Sequence, residues 1–398
     1  MLEKLSILPP DPILGVGQMY FQETDPNKVG LAVGVYQTEA AVTPVLSTVK
    51  KAEASMLEHQ DSKVYIAQAG DPDFLAGLTK LLFGAELEAK IEDRLASIMV
   101  PGGCGGLRIA GEVINQSRPK ATVWMSTPTW GNHYPLLENA GLTLKNYTYY
   151  DVDKGVVDFQ AMLDAFQEIP ENDIVLLHAC CHNPTGADLS SEQWQQLFDV
   201  IVARKLLPFI DAAYLGFSDS MEDDTVAIRI AAERVAEAIV VTSCSKNFGL
   251  YRERTGMLTF MGETKDAALA AQSQGMAKAR QSYSMSPYHG GGIVGTILKD
   301  ETYTKEWLAE VYQMRDRMND LRAEFAKQMN SKQSVKDFGF IASNRGMFSN
   351  LGISKEQVLR LRDEYKIYML DSSRINVAGL AKANLEYTTD AIAKILTS

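Results

Sequence analysis

Cysteine is scarce in this 398-residue sequence, which contains only Cys104, Cys180, Cys181 and Cys244. The adjacent pair cannot easily bridge to itself, so the cysteines suggest a reducing compartment rather than a disulfide framework. No apolar run approaches the roughly 18 residues that span a bilayer. Prolines and an acid interrupt the N-terminal MLEKLSILPPDPILG, where a signal peptide would be continuously apolar. We therefore expect a cytoplasmic protein with no membrane partner.

Positive charge is in deficit. The chain has 39 basic and 50 acidic residues and a net charge of -11, a balance that disfavours nucleic-acid binding as a main role. Hydrophobic residues make up 46% and charged residues 22% of the chain, so extensive disorder is not expected. We find no internal repeat and no low-complexity segment. The length suits one large domain with a smaller companion.

Short apolar runs alternate with segments of helical period; the runs are ASIMV, TVWMS, DIVLLHA, LLPFI, AIVVTS and GMLTF. This alternation is typical of a mostly parallel sheet that helices cover on both faces. Five of the runs precede segments with conspicuous site-type residues: PGGCGG, TPTWGN, CCHNPTG, DAAYLGF and SCSKNFG. Ligands of open α/β sheets bind beyond the carboxyl ends of the strands. We therefore predict that these five segments converge on one crevice.

A long amphipathic helix is predicted over residues 307–329. Its apolar positions recur every three or four residues, at Trp307, Val311, Met314, Met318, Leu321, Phe325 and Met329. Such a helix is a natural crossing into a second domain, which would contain the strand-like GMFSNLGI and YKIYML and the N-terminal GLAVGVYQ. We expect an N-terminal arm over 1–13, a large domain over 45–311, and a small domain formed by 14–44 and 312–398.

Lys246 follows the apolar run AEAIVVT and lies in SCSKNFGLYRERTG. A lysine at a strand end is more often solvated or paired with an acid. Apolar walls and cationic neighbours, however, would lower its pKa and make the amine a nucleophile toward carbonyls. Ser243, Ser245 and Arg254 supply hydroxyls and a guanidinium that suit a phosphate ester. A nucleophilic lysine beside a phosphate site suggests pyridoxal phosphate.

The same loop matches the S-x-x-K motif of serine β-lactamases. That family also needs S-D-N and K-T-G, and neither string occurs in the sequence.

The glycine-rich PGGCGGLR precedes a helical segment, whose amino end would suit a phosphate, although a tight turn without a ligand is an open alternative. It is not a dinucleotide fingerprint, because Arg108 stands where the third glycine is required.

Asp211 follows the run LLPFI and precedes Tyr214 by three residues. A carboxylate at a buried strand end needs a positive partner, and a protonated pyridine nitrogen would be one. A helix cap or a salt bridge is the alternative. Asn183-Pro184 is expected to form a turn that presents the Asn amide. Trp130 is either a core residue or a ring that stacks on a cofactor.

The segment containing His178, Cys180, Cys181, His182 and Asn183 resembles a set of metal ligands. Strand alternation would point successive side chains to opposite faces, and no second cluster has ligand spacing, so we expect no metal.

Arg374 in SSRINVAG and Arg280 in KARQSYS are lone arginines. Each is either solvated at the surface or placed to bind a substrate carboxylate.

Four motifs together, SCSKNFGLYRERTG, HACCHNPTG, PGGCGGLR and RINVAG, resemble those of the aspartate and aromatic amino acid aminotransferases. These are class I enzymes of fold type I that depend on pyridoxal phosphate. The similarity runs from about Leu14 to the C-terminus. It implies an α/β fold, with a large cofactor-binding domain whose mostly parallel sheet is covered by helices and a smaller α/β domain. It also implies a homodimer whose subunits share each active site.

The resemblance implies a role for each candidate residue. Lys246 would be the Schiff-base lysine and the proton shuttle, and Asp211 would pair with the ring nitrogen. Tyr214 and Asn183 would bond the ring hydroxyl, while Trp130 would stack on the ring. The phosphate would be held by a larger set: Gly103, Cys104, Ser243, Ser245, Arg254 and, from the second subunit, Tyr65.

The substrate would lie against Gly34, Asn183 and Trp130, with its α-carboxylate on Arg374. Arg280, from the second subunit, would bind a distal carboxylate or move aside for an aromatic side chain. The implied reaction moves an amino group between an aromatic amino acid (phenylalanine, tyrosine or tryptophan) or aspartate and 2-oxoglutarate by a ping-pong mechanism.

Three departures from dicarboxylate-specialised relatives favour aromatic substrates. Gln37 and Val64 stand where those relatives tend to have lysine and asparagine, and Met285 stands where a polar residue is common. Aspartate preference is the main alternative, and a pyridoxal-phosphate lyase or decarboxylase is a remote one. A binding protein without activity would be expected to lose Lys246 or Asp211. Cys104 also departs from the family, in which threonine or serine is frequent, and is a weaker donor.

Overall fold

The computed structural model describes residues 2–9 and 11–398. Fifteen α-helices are assigned within these residues: α1 (Pro12–Gln22), α2 (Ser47–His59), α3 (Pro72–Ile91), α4 (Gly102–Ser117), α5 (His133–Glu138), α6 (Phe159–Glu168), α7 (Ser191–Ala203), α8 (Met221–Asp224), α9 (Val226–Arg234), α10 (Lys265–Ser282), α11 (Tyr288–Lys299), α12 (Glu301–Lys332), α13 (Gly339–Ser343), α14 (Lys355–Tyr365) and α15 (Lys382–Thr397). Among these helices, none combines the length and the apolar character that a membrane span requires.

Thirteen strands are assigned in the same described residues: β1 (Val29–Gly30), β2 (Leu95–Val100), β3 (Thr122–Thr127), β4 (Thr143–Thr148), β5 (Tyr150–Asp151), β6 (Val156–Val157), β7 (Ile174–His178), β8 (Leu207–Ala212), β9 (Ala238–Ser243), β10 (Gly256–Met261), β11 (Phe348–Asn350), β12 (Ile367–Tyr368) and β13 (Arg374–Asn376). Seven of them form the central sheet in the order β2-β10-β9-β8-β7-β3-β4. Strand β10 runs opposite in direction to the other six strands of this sheet. The expected α/β fold with a mostly parallel sheet is confirmed.

The six apolar runs of the sequence are the six strands β2, β3, β7, β8, β9 and β10. The seventh strand, β4, is not signalled by the sequence. Its residues TLKNYT are mostly exposed, and in the sheet it pairs only with β3. An edge strand with polar side chains lacks the continuous apolar pattern of the strands inside the sheet.

Alternate residues of each inner strand pack on opposite faces of the sheet, which explains why the runs are continuously apolar. In β7, Ile174 and Leu176 face a core formed with α4, α5 and α10. Val175 and Leu177 face a second core, to which α3, α7, α9, α11 and the first part of α12 contribute. Helices therefore cover both faces.

A separate core contains Val29 and Leu31 together with residues from 321 to 395. Helix α12 belongs to both units: Trp307 to Met318 are in the core beside the sheet, whereas Leu321, Phe325 and Met329 are in the separate core. All seven apolar residues predicted to form one face of this helix are buried. The helix passes from one core into the other between Met318 and Leu321.

Candidate active site

A cavity of about 370 Å³ lies beyond the carboxyl ends of the parallel strands. The five segments singled out in the sequence all contribute to its wall. The cavity is lined by twelve of the fourteen candidate residues: Gly34, Gly103, Cys104, Trp130, Asn183, Asp211, Tyr214, Ser243, Ser245, Lys246, Arg254 and Arg374. Tyr65 and Arg280 are not among the lining residues.

The register of the sheet brings these segments together. His178 at the end of β7 is paired with Asp211 in β8. Gly256, the first residue of the antiparallel β10, is paired with Ser243 on one side and with Val100 on the other. The turn before α4 and the loop after β9 therefore meet at the same edge, although they are distant in the sequence.

Lys246 lies in the turn after β9, where Gly249 N–H donates to the Lys246 carbonyl at 3.0 Å. Its Nζ lies 4.6 Å from the centroid of the Tyr214 ring. Burial lowers the pKa of the Lys246 amine, and the positive charges of Arg254 and Arg374 lower it further, against the opposing effect of Asp211. A larger fraction of the amine is then unprotonated and nucleophilic.

Asp211 is the penultimate residue of β8 and is buried. Burial acts to raise the pKa of its carboxyl, but the hydrogen bond with His133, together with smaller electrostatic contributions that include the Lys246 amine, outweighs burial and holds the pKa below its usual range. Its Oδ2 lies 3.1 Å from His133 Nε2. Its Oδ1 has no hydrogen-bond partner in the described part of the chain. A protonated ring nitrogen would satisfy this buried oxygen.

His133, which the sequence did not identify, connects Asp211 to a chain of hydrogen bonds. Thr129 Oγ1 lies 2.9 Å from His133 Nδ1 and 3.1 Å from His178 Nε2. The backbone N–H of Asn183 donates to His178 Nδ1 at 3.3 Å. In a proton arrangement that satisfies every bond, His178 Nε2–H donates to Thr129 Oγ1, the Thr129 hydroxyl donates to His133 Nδ1, and His133 Nε2–H donates to Asp211. Burial lowers the His178 pKa to about 3, which keeps this ring neutral.

Glycines, hydroxyls and Arg254 form a cradle at the amino end of α4. Gly102 has φ 71°, and a Cβ at this position would lie 2.6 Å from Arg254 Nη2. Ser243 and Ser245 lie 3.2 Å apart through their Oγ atoms, and Arg254 Nη1 donates to Ser245 Oγ at 3.2 Å. A guanidinium, two hydroxyls and the free N–H groups of a helix start suit a phosphate.

Cys104 and Trp130 complete this side of the cavity. Cys104 Sγ lies 3.8 Å from Asn132 Nδ2. The Trp130 ring meets the His133 ring edge to face, with centroids 5.2 Å apart. Trp130 therefore packs against the residue that bonds Asp211 and also lines the cavity, which suits a ring that stacks on a cofactor.

Arg374, the first residue of β13, is buried and forms no ion pair with an acid in the described residues. Its Nη1 donates to Asn183 Oδ1 at 3.2 Å and its Nη2 to the Ala32 carbonyl at 2.6 Å. Burial lowers the pKa of the guanidinium to about 10, so it is charged at neutral pH. A buried cation that lines a cavity without an acidic partner is suited to an anionic ligand.

One part of the cavity wall is apolar and was not identified from the sequence. Asp11 caps α1 by accepting hydrogen bonds from the N–H groups of Ile13 and Leu14, both at 2.8 Å. This cap places both side chains in the first turn of α1, where they line the cavity with Val33 and Leu107. Gly34 also lines it, and a Cβ there would lie 2.7 Å from the Phe348 ring.

Tyr65 and Arg280 lie outside the cavity and are exposed, with 82% of Tyr65 accessible. Gln68 Nε2 donates to the Met276 carbonyl of α10 at 3.1 Å, so the loop that carries Tyr65 lies against the helix that carries Arg280. Arg280 Nη1 donates to Ser284 Oγ at 2.6 Å. Both residues are thus free to meet another molecule.

The two adjacent cysteines differ from the expectation that their side chains point to opposite faces. Strand β7 ends at His178 and Cys181 has φ 50°, so strand alternation no longer applies. Both thiols lie within 4.8 Å of each other and of the Asp224 carboxylate. Burial raises the pKa of both, to about 12 for Cys181. Protonated thiols are poor metal ligands.

Comparison with known proteins gives consistent results. Residues 26–392 match the family model of class I and II aminotransferases. The chain is 39% identical to an aspartate aminotransferase of Escherichia coli (strain K12), with 100% of both chains covered. It is 41% identical to an aromatic-amino-acid aminotransferase of Pseudomonas aeruginosa, with 98% of each chain covered.

A solved structure extends the likeness to three dimensions. It is an aromatic-amino-acid aminotransferase from Burkholderia pseudomallei that is covalently bound to pyridoxal phosphate. It is 39% identical, superposes with a TM-score of 0.95, and covers 100% of this chain and 99% of its own. The chain therefore belongs to the class I and II aminotransferases.

Proposed function

We propose that this pyridoxal-phosphate aminotransferase prefers aromatic amino acids, keeps activity toward aspartate, and uses 2-oxoglutarate as the amino acceptor. The lining of the cavity carries the proposal. Its four charged residues, Lys246, Asp211, Arg254 and Arg374, are all suited to the cofactor or to an α-carboxylate. The apolar wall of Ile13, Leu14, Val33 and Leu107 has no charged group, and burying a ring against it contributes about 25 cal/mol per Å².

The residues present fit pyridoxal phosphate, which when bound supplies an aldehyde for the amino group and a ring that withdraws electrons from the α-carbon. Asp211, whose Oδ1 is buried without a partner, would hold the proton on the ring nitrogen. The phosphate would bind at the cradle of Gly103, Ser243, Ser245 and Arg254, where Cys104 adds a weaker donor.

Lys246 is proposed to bond to the cofactor and then to move the proton of the substrate. Because its pKa is lowered, the released amine at Nζ would accept a proton from the α-carbon and pass it to the cofactor within the same half-reaction, and the other half of the ping-pong cycle would run this transfer in the opposite direction. Tyr214 and Asn183 would bond the ring hydroxyl, and Trp130 would stack on the ring. These groups hold the reacting atoms in place while Nζ acts.

Arg374 is proposed to bind the α-carboxylate through its guanidinium fork. Its hydrogen bond to Asn183 Oδ1 fixes the guanidinium beside the site of the ring hydroxyl. Gly34, Asn183 and Trp130 would line the rest of the substrate site. An acidic side chain would then require Arg280, because the four charged residues of the cavity are already engaged.

A homodimer with shared active sites is part of the proposal. The N-terminal arm exposes Leu2, Leu5, Ile7 and Leu8, and an apolar arm of this kind is suited to a protein interface. Tyr65 and Arg280 are exposed on neighbouring elements, and a second subunit packed there would receive both.

We also propose a cytoplasmic location, which the absence of disulfides among the four cysteines supports.

The separate core supports the division into a large domain over 45–311 and a small domain over 14–44 and 312–398. Val29 of β1 pairs with Ile367 of β12, which joins the N-terminal segment to the C-terminal part. The residues of α12 change cores slightly later, after Met318.

The visible spectrum of the loaded enzyme tests the proposal. Phenylalanine or aspartate, added without a keto acid, should each convert the cofactor to its amine form. The value of kcat/KM should be higher for phenylalanine than for aspartate; the reverse order would favour the aspartate enzyme. A Lys246→Ala variant should bind the cofactor without turnover, and near-normal turnover would remove Lys246 from its proposed role. Release of carbon dioxide from either amino acid would instead indicate a decarboxylase.

A further inference from the structure

Arg322, on α12, is fully buried and forms no ion pair with an acid in the described part of the chain. Its guanidinium donates instead to four backbone carbonyls and one hydroxyl, those of Ile341, Arg345, Gly346, Phe348 and Ser349. Burial lowers the pKa of the guanidinium to about 10, so it is charged at neutral pH. A buried cation is tolerated only where such acceptors surround it.

The acceptors all lie in the segment that leads from α13 into β11. Arg322 Nη2 is 2.7 Å from the Gly346 carbonyl and 2.6 Å from the Phe348 carbonyl. Gly346 has φ 78°, a left-handed conformation suited to glycine. One planar guanidinium therefore fixes both sides of this turn and the first residue of β11.

Phe348 is the part of this segment that lines the cavity. The Arg374 guanidinium carbon lies 4.1 Å from the centroid of the Phe348 ring, and the ring meets Tyr214 edge to face with centroids 5.9 Å apart. In the β11–β13 pair, Asn350 is opposite Arg374 and Phe348 is opposite Asn376. Phe348 and Arg374 are therefore diagonal neighbours on one face.

On the side away from Arg322, the segment between α13 and β11 packs closely against the loop that follows β7. Arg345 N–H donates to the Gly186 carbonyl at 2.8 Å. A Cβ at Gly186 would lie 2.3 Å from the Phe348 carbonyl oxygen, and one at Gly346 would lie 2.4 Å from Cys181 Cβ. The loop after β7 thus holds one side of the segment while Arg322 holds the other.

We propose that Arg322 is a positioning residue for substrate binding: it holds Phe348 against the Arg374 guanidinium and so orients Arg374 toward the α-carboxylate. The inference rests on the proposed role of Arg374. Every amino-acid and keto-acid substrate carries this carboxylate. Loss of the positioning should therefore weaken the binding of all substrates alike and leave the choice between them unchanged.

An Arg322→Lys variant tests the proposal, because a lysine ammonium keeps the charge but cannot span five acceptors. Arg94→Lys is a matched control, since Arg94 also donates to four backbone carbonyls, those of Ala232, Val235, Ala236 and Gly262, none of which lines the cavity. The measurements on the loaded enzyme are the Kd of 3-phenylpropionate by calorimetry and steady-state kinetics with phenylalanine and aspartate.

For Arg322→Lys, we expect the Kd and both KM values to rise about tenfold while kcat changes less than about threefold. The ratio of kcat/KM for the two amino acids and the affinity for pyridoxal phosphate should not change. Arg94→Lys should match the parent in all of these quantities. A folded Arg322→Lys enzyme with parental Kd and KM values would overturn the proposal.

If Arg322→Lys does not fold, Phe348→Leu carries the test with the same readouts. A raised Kd supports the positioning of Arg374 by Phe348, and a parental Kd overturns it. An Arg374→Lys variant distinguishes a failure of the role proposed for Arg374 from a failure of the role proposed for Arg322. Unchanged binding in that variant removes the proposed role of Arg374 itself, whereas weakened binding there with parental values in Arg322→Lys removes only the role of Arg322.

Discussion

His133 Nε2 donates to Asp211 Oδ2 across 3.1 Å, while the other oxygen of the carboxylate is buried without a partner in the described residues. The imidazole therefore fixes one oxygen of Asp211 and leaves the second for the cavity. It also helps to hold the Asp211 pKa below its usual range, against the opposing effect of burial. His133 thus favours the ionised form that a ring nitrogen requires.

Replacing His133 with phenylalanine should impair catalysis, because the change removes the hydrogen bond to Asp211 but keeps an aromatic ring at this position. Loss of a hydrogen bond to a charged group costs about 1.5–3 kcal/mol, so kcat should fall roughly tenfold to a hundredfold. Thr129→Val, which interrupts the chain one step further away, should have a smaller effect. Steady-state kinetics would measure both, and a parental kcat in His133→Phe would show that Asp211 needs no support from the imidazole.

Replacing Cys104 with threonine should strengthen cofactor binding. A hydroxyl is a better donor than a thiol, and one added hydrogen bond contributes about 1 kcal/mol, or roughly fivefold in Kd. Cys104→Ala, which has no donor, is the control and should bind no more tightly than the parent. The Kd of pyridoxal phosphate can be measured by fluorescence titration of the apoenzyme. A tighter Cys104→Ala variant would instead indicate a steric effect.

The buried Asp224 should make stability fall as pH rises. Burial, with a contribution from the negative charge of Asp188, raises its pKa from 3.8 to about 7. Between these two values the folded protein holds a proton that the unfolded chain has released. The free energy of unfolding should therefore decrease by up to about 1.4 kcal/mol per pH unit in this window and become level above it.

Asp224→Asn tests this dependence, because an amide keeps an oxygen for the Gly216 N–H, which now donates to the carboxylate at 2.6 Å. Urea unfolding of parent and variant at pH 5 and pH 8, at equal protein concentration, would give the comparison. The loss of stability from pH 5 to pH 8 should be smaller in the variant. An equal loss in both proteins would mean that Asp224 does not titrate in this range.

The apolar wall of the cavity should set the preference for aromatic substrates. Ile13→Ser removes buried apolar contact, and a change of this size in a hydrophobic pocket is worth about 1–3 kcal/mol. The kcat/KM for phenylalanine should fall about tenfold or more, while that for aspartate changes little. Met19→Ser is a control on the same helix, since Met19 does not line the cavity. A parallel decrease for both amino acids would argue against a selective contact.

The sequence predicted the sheet and most of the cavity because both depend on local signals. Buried strands produce continuous apolar runs, and the residues at their carboxyl ends are brought together by any parallel sheet. The long helix was equally visible, since the period of its apolar residues follows directly from helix geometry. Lys246, Asp211 and Asn183 all belong to segments found in this way.

The residues that sequence reasoning missed depend on contacts between distant segments. His133 lies 78 positions before Asp211, and no local pattern marks it as the partner of that carboxylate. Phe348 lies in a segment that reads as an ordinary strand, and Arg322 lies in one that reads as an ordinary helix, so neither residue stands out in the sequence. The exposed strand β4 was missed because its polar residues resemble those of a loop. Tyr65 and Arg280 are exposed, so the roles proposed for them would require a second subunit.

Helix α12 imposes a mechanical limit on the molecule. Its 32 residues form one continuous rod of about 48 Å, with one half embedded in each core. A packed helix resists stretching, so the C-terminal unit cannot slide freely over the sheet. The length of the rod therefore fixes the spacing of the two cores along its axis.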